Sequence, residues 1–295
     1  MDKNENKTTT TRSLIRSAIC VLIAALLVWA LAPYSIKVGQ WPLITLLAVL
    51  AYLTHWFAFV PAYLKQTEKF YDLTGSITYL SVIGLGIYLS GTKDARALLV
   101  AGLVCIWTLR LGSFLFLRIM QDGKDTRFDE IKPNAPRFFT AWNISALWVF
   151  LTAIAAIIVI TSTKTKPLDL WAYLGLVVWL LGFVIEVVAD RQKRVFRKDP
   201  ANKGQFITTG LWAWSRHPNY LGEITLWLGI FIISIPVLQG WQWLAVLSPI
   251  FVYLLLTKVS GVTMLEDIAD KRWGGQDDYE AYKARTPVLM MKPPS

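Results

Sequence analysis

The chain has 295 residues, is 55% apolar and contains 14 Trp, a composition beyond that of ordinary soluble domains, which implies a multi-span membrane protein. The net charge of +10 would suit nucleic acid if it formed one continuous face, but the basic residues fill the gaps between apolar runs, so no nucleic-acid partner is expected. Cys20, Cys105, His55 and His217 are the entire Cys and His complement, which gives no disulfide framework and no His/Cys cage, so no metal site is predicted.

Residues 1–13 are polar and Thr-rich and are predicted to form a disordered tail, with 14–295 as a single integral-membrane domain. Leu14 to Ala32 is the first apolar run, with Ala30-Leu-Ala32 resembling a small-x-small cleavage site. Pro33 directly after it opposes cleavage, so the run is read as a retained anchor. Pro42 to Leu64 and Thr74 to Ser90 follow, then Ala97 to Ile119, interrupted by Arg110. Phe138 to Thr161 and Leu170 to Ala189 come next, the latter carrying Glu186. Tyr220 to Val237 and Trp241 to Thr257 complete the set, joined through Leu238-Gln-Gly240. Each run has the roughly 17–25 residues that cross a bilayer. The predicted fold is therefore all-α: a polytopic bundle of about eight transmembrane helices, without internal repeats.

Eight crossings place both termini and alternate loops on one side. Of the 30 Lys and Arg, the opposite side receives only Lys37, Lys93, Arg96, Lys164 and Lys166, and Arg110 lies within the membrane. The asymmetry predicts that the basic side, with the N- and C-termini, is cytoplasmic. On that side, only the 118–137 and 190–219 loops and the tail are long enough to host a site.

The densest polar signature is Gly210-Leu-Trp-Ala-Trp-Ser-Arg-His-Pro-Asn-Tyr-Leu-Gly-Glu223. Pro218 disfavours helix at His217 and suits the first helical position itself. Asn219, Tyr220 and Glu223 then occupy the opening turn of a helix, with Asn219 and Glu223 four apart on one face. A helix N-terminus at the membrane boundary beside Arg216 suits an anionic ligand. Glu186 and Asp190 are also four apart, with Arg194 continuing their face, and a carboxylate within a span faces the bundle interior or water. Arg110 and Arg118 share a face two turns apart; an internal ion pair of Arg110, with Glu186 for example, is the structural alternative to ligand contact. Arg127 lies in the polar stretch Gly123 to Phe128 on the same side. Asp72 is either an N-cap or a catalytic candidate, and Tyr79, two turns deeper, is either a packing residue or a contact for a buried substrate. His55 reads as a satisfied buried histidine. Asp277 to Arg285 reads as a charged surface helix.

Asp190-Arg-Gln-Lys…Phe196…Gly210-Leu-Trp…Ser215-Arg-His-Pro-Asn-Tyr-Leu-Gly-Glu223 resembles the C-terminal domain of the steroid 5-alpha reductases. It is still more similar to bacterial membrane proteins sharing that domain. The resemblance covers 186–295 best, and Leu109-Arg110-Leu…Arg118 and Asp125-Thr-Arg-Phe128 more loosely. It implies a bacterial inner-membrane enzyme, open to the cytoplasm, that uses NADPH to reduce the C=C bond of an enone in a steroid-, sterol- or isoprenoid-like lipid. Carried over by position, it makes Asp190, Arg194, Asn219, Tyr220 and Glu223 cofactor contacts, with Arg110 and Arg118 facing the cofactor. The phosphates of NADPH call for fixed cations, here Arg118, Arg127, Arg194 and Arg216. Glu186 and His217 complete the cofactor set. The chain departs from the reductase pattern where a tyrosine precedes the membrane arginine: Trp107 stands there, and the third span has no glutamate. Asp72 and Tyr79 are the candidate catalytic substitutes.

A second resemblance is to the membrane methyltransferases acting on isoprenylcysteine or phospholipid, which share Arg-His-Pro-x-Tyr-x-Gly before a span. Their tail is echoed by Glu266, Tyr279, Tyr282, Arg285 and Pro287. It implies S-adenosylmethionine in the same cytoplasmic cavity. Asn219, Gly222-Glu223, Asp190 and the extra early spans favour the reductase.

Overall fold

The computed structural model describes residues 3–294. Among the described residues, eight segments are long and apolar enough to cross a membrane, as the apolar runs predict. Among the described residues, strand structure is limited to a hairpin, β1 (Lys37–Val38) with β2 (Trp41–Pro42), closed by Gly39 at φ +61°, and a bridge between Ser35 and Ser162. The chain divides into two compact units: Met1–Leu168 with Ser234–Ala245, and Asp169–Ile233 with Val246–Ser295.

The first unit contains α1 (Lys3–Leu31), α2 (Leu43–Leu64), α3 (Tyr71–Ser90), α4 (Ala95–Asp122) and α5 (Ala135–Thr161). Its centre is α5, 89% of whose apolar window is buried, against 28–39% for α1 to α4. A helix apolar all round is expected in such a position. The other four helices all pack on it. Helix α1 begins within the stretch predicted as a disordered tail, whose first two residues lie outside the described residues. Thr140 on α5 explains how the following turns are held, donating to Ser13 O at 2.9 Å and lying 3.0 Å from Ser17 Oγ. Asn134 caps α5 by accepting from Arg137 N at 3.0 Å, and Asp94 caps α4 by accepting from Ala97 N at 2.9 Å. Such caps satisfy amides that a helix start leaves open.

The second unit contains α6 (Leu170–Lys198), most of α7 (Pro218–Ser234), α8 (Leu247–Leu254), α9 (Val262–Trp273) and α10 (Asp277–Arg285). Helix α6 runs nine residues past the predicted apolar end at Ala189 and so carries Asp190 and Arg194 on regular helix. Arg197 and Lys198 in its last turn suit the negative end of the helix dipole. The predicted eighth span is not one α-helix. It consists of 3-10 turns over Gly240–Val246, the short α8, and a π turn over Leu255–Val259. Ser260 N there reaches back to Leu255 O at 3.0 Å. The break is fixed by Gly261, where a Cβ would lie 2.3 Å from Leu256 O and 2.9 Å from Tyr220 Cε2.

Helices α6 and α7 touch backbone to backbone through two glycine pairs. A Cβ on Gly182 would lie 2.4 Å from Leu226 N and 2.6 Å from Gly222 O. One on Gly229 would lie 2.7 Å from Gly175 O. The glycines recur every seven residues on both helices and pair in reverse order, so the helices run antiparallel with one small-residue seam facing another. Membrane helices associate by such close packing, since lipid supplies no hydrophobic drive between them.

Candidate functional site

The seam positions the polar ends of α6 and α7. Gly222 sits against the backbone of Glu186, where an added Cβ would be 2.6 Å from Glu186 N. Glu186 is only 2% exposed. The opening turn of α7, with Asn219, Tyr220 and Glu223, is thereby held against the stretch of α6 that carries Glu186 and Asp190. These five sequence-predicted residues are brought to one helix crossing. Arg194, one turn beyond Asp190, is exposed.

The approach to α7 is fixed in detail. Gly210 has φ +60°, and a Cβ there would collide with Gln192, whose Oε1 accepts from Leu211 N at 2.9 Å. The next turn buries Trp212, which donates from Nε1 to Ala189 O at 3.0 Å. Lys193 Nζ lies 4.3 Å from the centre of that ring, and Tyr282 donates its hydroxyl to Trp212 O at 2.7 Å. The tail then runs beside the signature. Arg216 N donates to Pro287 O at 2.9 Å, His217 N to Val288 O at 3.1 Å, and Lys292 N to Trp214 O at 3.0 Å. Ser215, fully buried, donates to Leu289 O at 3.0 Å.

Glu266 on α9, which the sequence left outside the expected cofactor set, contacts two of that set's members. Its Oε2 pairs with Arg216 Nη1 at 3.1 Å and its Oε1 lies 2.7 Å from His217 Nε2. The His217 ring stacks on Tyr220, with centroids 5.5 Å apart and planes 6° from parallel. Burial pushes the imidazole below its ordinary pKa; Glu266 opposes this, and Lys193 and Arg216 add to it. The lowered pKa favours the neutral imidazole, whose contact with Glu266 is a hydrogen bond donated from Nε2–H. Among the described residues, His217 Nδ1 and Arg216 Nε are buried polar atoms without a hydrogen-bond partner.

Tyr279 and Tyr282, the tyrosine pair of the tail, pack with Trp273 around Phe206. Asp270 accepts from Tyr279 Oη at 2.8 Å and from Lys283 Nζ at 2.7 Å, which ties α9 to α10. The stretch predicted as a charged surface helix thus has one face built into the unit. A cavity of about 520 Å³ lies at the C-terminal end of α6, lined by Arg191, Gln192, Phe196, Asp199 and Thr209 among others.

The remaining candidates, Arg110, Arg118, Arg127, Asp72 and Tyr79, belong to the first unit. Asp72 lies in the first turn of α3 without capping it and faces Arg118 at 3.8 Å. Arg127 donates from Nε to Asp125 at 2.9 Å. Arg110 sits 5.6 Å from the Phe114 ring. Tyr79 is buried and meets Trp107 edge-on, with ring centroids 5.3 Å apart. Sequence reasoning missed Glu68, a buried carboxylate that accepts from Asp125 N at 2.8 Å and pairs with Lys132. Burial would raise its carboxyl pKa, but Lys132 and the Asp125 amide hold it below the usual carboxylate range. His55 is satisfied as predicted, bonded to Ala51 O at 2.8 Å and Ser145 Oγ at 3.0 Å. Among the described residues no cluster of three or more His, Cys, Asp or Glu could hold a metal ion.

Comparison with known proteins yields two relatives. An uncharacterized protein of Schizosaccharomyces pombe is 25% identical over 178 residues, 51% of each chain. A probable O-methyltransferase of Ustilaginoidea virens, ustE, is 42% identical over 53 residues, 18% of each chain. The chain thus matches about half the length of the first and less than a fifth of the second. A family model described as a protein of unknown function, DUF1295, matches residues 58–286. That stretch includes α3 to α10, the signature and Glu266, and the chain belongs to the DUF1295 family.

Proposed function

We propose that the protein is a membrane-embedded reductase that uses NADPH to reduce the C=C bond of an enone in a lipid-like substrate, with its site on the basic, cytoplasmic side. The family is related to steroid 5-alpha reductase-like proteins. The observation that carries the reading is the glycine seam, which fixes Asn219, Tyr220 and Glu223 beside Glu186 and Asp190. Carboxylates and an amide on rigid helices suit the ribose hydroxyls and carboxamide of a dinucleotide, and Arg194 and Arg216 suit its phosphates. The buried donor at Arg216 Nε and acceptor at His217 Nδ1 are further polar atoms that such a ligand would satisfy. When bound, NADPH supplies the hydride, and a proton completes the saturated ketone. The protein's own tasks are to orient the cofactor, exclude water and polarise the carbonyl. Tyr79, buried against the tryptophan that stands in place of the reductase tyrosine, is the candidate for the last.

Methyl transfer from S-adenosylmethionine is the second reading. It is favoured by Glu266 bridging Arg216 and His217, by the tyrosine pair of the tail, and by the segment shared with the probable O-methyltransferase. One experiment separates the two. Membranes containing the protein are incubated with lipid extract and either [4-²H]NADPH or [methyl-²H₃]S-adenosylmethionine, and the lipids are analysed by mass spectrometry. The reductase reading predicts one protein-dependent deuterium from NADPH. Transfer of a labelled methyl group, with none of hydride, would replace it with the second reading.

A further inference from the structure

The sequence casts His217 as one of the groups that would meet an anionic cofactor, and the geometry gives it a different part. One ring face and one edge are accounted for by the fold: Tyr220 stacks on the ring, and Nε2 lies 2.7 Å from Glu266 Oε1. Glu266 is in turn held by Arg216 at 3.1 Å, so its oxygen is a fixed acceptor that selects the Nε2–H tautomer. The remaining edge presents Nδ1 as a lone pair. That atom is buried and has no partner among the described residues, on a residue only 5% exposed. A buried acceptor left without a donor costs free energy, and the cost is removed when a ligand supplies one. A neutral lone pair also disfavours phosphate or carboxylate oxygen at the same point.

We propose that His217 Nδ1 is a hydrogen-bond acceptor for an N–H or O–H donor on the nucleoside part of the cofactor: an exocyclic amine, a carboxamide or a ribose hydroxyl. Glu266 is then a positioning residue that sets the tautomer, and the cofactor's phosphates fall to the arginines instead. The inference rests on the cofactor reading above for the ligand, but not for the tautomer. It also distinguishes two roles within one three-residue motif, since Arg216 supplies charge and His217 supplies a lone pair.

The chain has only two histidines, so ¹⁵N-histidine labelling of the full-length protein in detergent gives two imidazole spin systems. A His217→Asn variant assigns them, and His55→Gln does so by the other route if the first fails to accumulate. At about pH 7 the proposal predicts that His217 is neutral, protonated at Nε2 and unprotonated at Nδ1. Saturating NADPH should move the Nδ1 resonance in the hydrogen-bonded direction while Nε2 stays protonated. A matching shift with 2′,5′-ADP assigns the donor to the adenosine end, whereas a shift with NADPH alone assigns it to the nicotinamide end. An imidazolium at that pH in the free protein, an Nδ1–H tautomer, or conversion to imidazolium on adding inorganic phosphate would overturn the proposal. So would an unmoved Nδ1 when a thermal shift shows NADPH bound. If S-adenosylmethionine binds and moves Nδ1 while NADPH does neither, the acceptor role stands and the reductase reading falls. Failure of both ligands to bind removes both claims.

Discussion

At the residue scale, the site turns on how charge is arranged around one carboxylate. Glu266 holds Arg216 and His217 at once, and its side chain is only 21% exposed. Replacing it with Gln removes the charge that balances Arg216 and leaves one acceptor oxygen where two partners, Arg216 and His217, each use one. Charge-assisted bonds of this kind contribute about 1.5–3 kcal/mol each, less where water reaches them. Glu266→Gln should therefore lower the thermal stability of the detergent-purified protein by roughly 2 kcal/mol, on the scale of one such bond. The companion Arg216→Gln variant should cost less in the Glu266→Gln background than alone, because the two share an interaction. Strict additivity in that cycle would show that the pair is not coupled. The sequence could not show this contact. Glu266 lies 49 positions from His217, and only the echo of a methyltransferase tail pointed to it. Ser215, to which the sequence analysis gave no role of its own, is fully buried and holds the tail by its hydroxyl.

At the element scale, the glycine seam is the feature that positions the polar turn of α7. Gly222→Ala places a methyl group 2.6 Å from two backbone atoms that cannot move without separating α6 from α7. Gly84→Ala on α3 meets nothing within 4 Å and replaces the residue of poorer helix propensity, so it should be neutral or stabilising by up to about 1 kcal/mol. The account predicts a large loss of folded protein for Gly222→Ala and none for Gly84→Ala, read by size-exclusion profile and melting temperature. Equal tolerance of both would show that α6 and α7 do not pack at this seam. The seven-residue steps from Gly175 to Gly182 and from Gly222 to Gly229 stand in the sequence but were not read there, since a pattern of glycines names no partner helix. Apolar runs were the legible part, because bilayer thickness fixes their length. Where a helix continues into polar sequence, hydropathy is silent, and α6 outlasted its apolar run for that reason. The eighth segment misled in the opposite direction. Its unbroken hydropathy hid a π turn that depends on the space around Gly261.

At the scale of the whole molecule, the two units divide the predicted machinery. The second holds the signature, the helix crossing and Glu266; the first holds the candidate catalytic pair Asp72 and Tyr79 and the arginines of α4 and its following loop. The proposed site is on the basic side of the sequence, which is the side a soluble nucleotide reaches if that side is cytoplasmic. The class of protein was legible from composition alone, whereas the chemistry was not, because two cofactors suit one Arg-His-Pro signature. Binding decides between them most directly. The melting temperature of the detergent-purified protein is measured with NADPH, NADH, S-adenosylmethionine or no ligand, since a ligand that binds only the folded state raises it by mass action. The account predicts a rise with NADPH that Asn219→Ala and Glu223→Gln diminish relative to each variant's own melting temperature without ligand. A rise with S-adenosylmethionine alone, or none with any nucleotide, would contradict it.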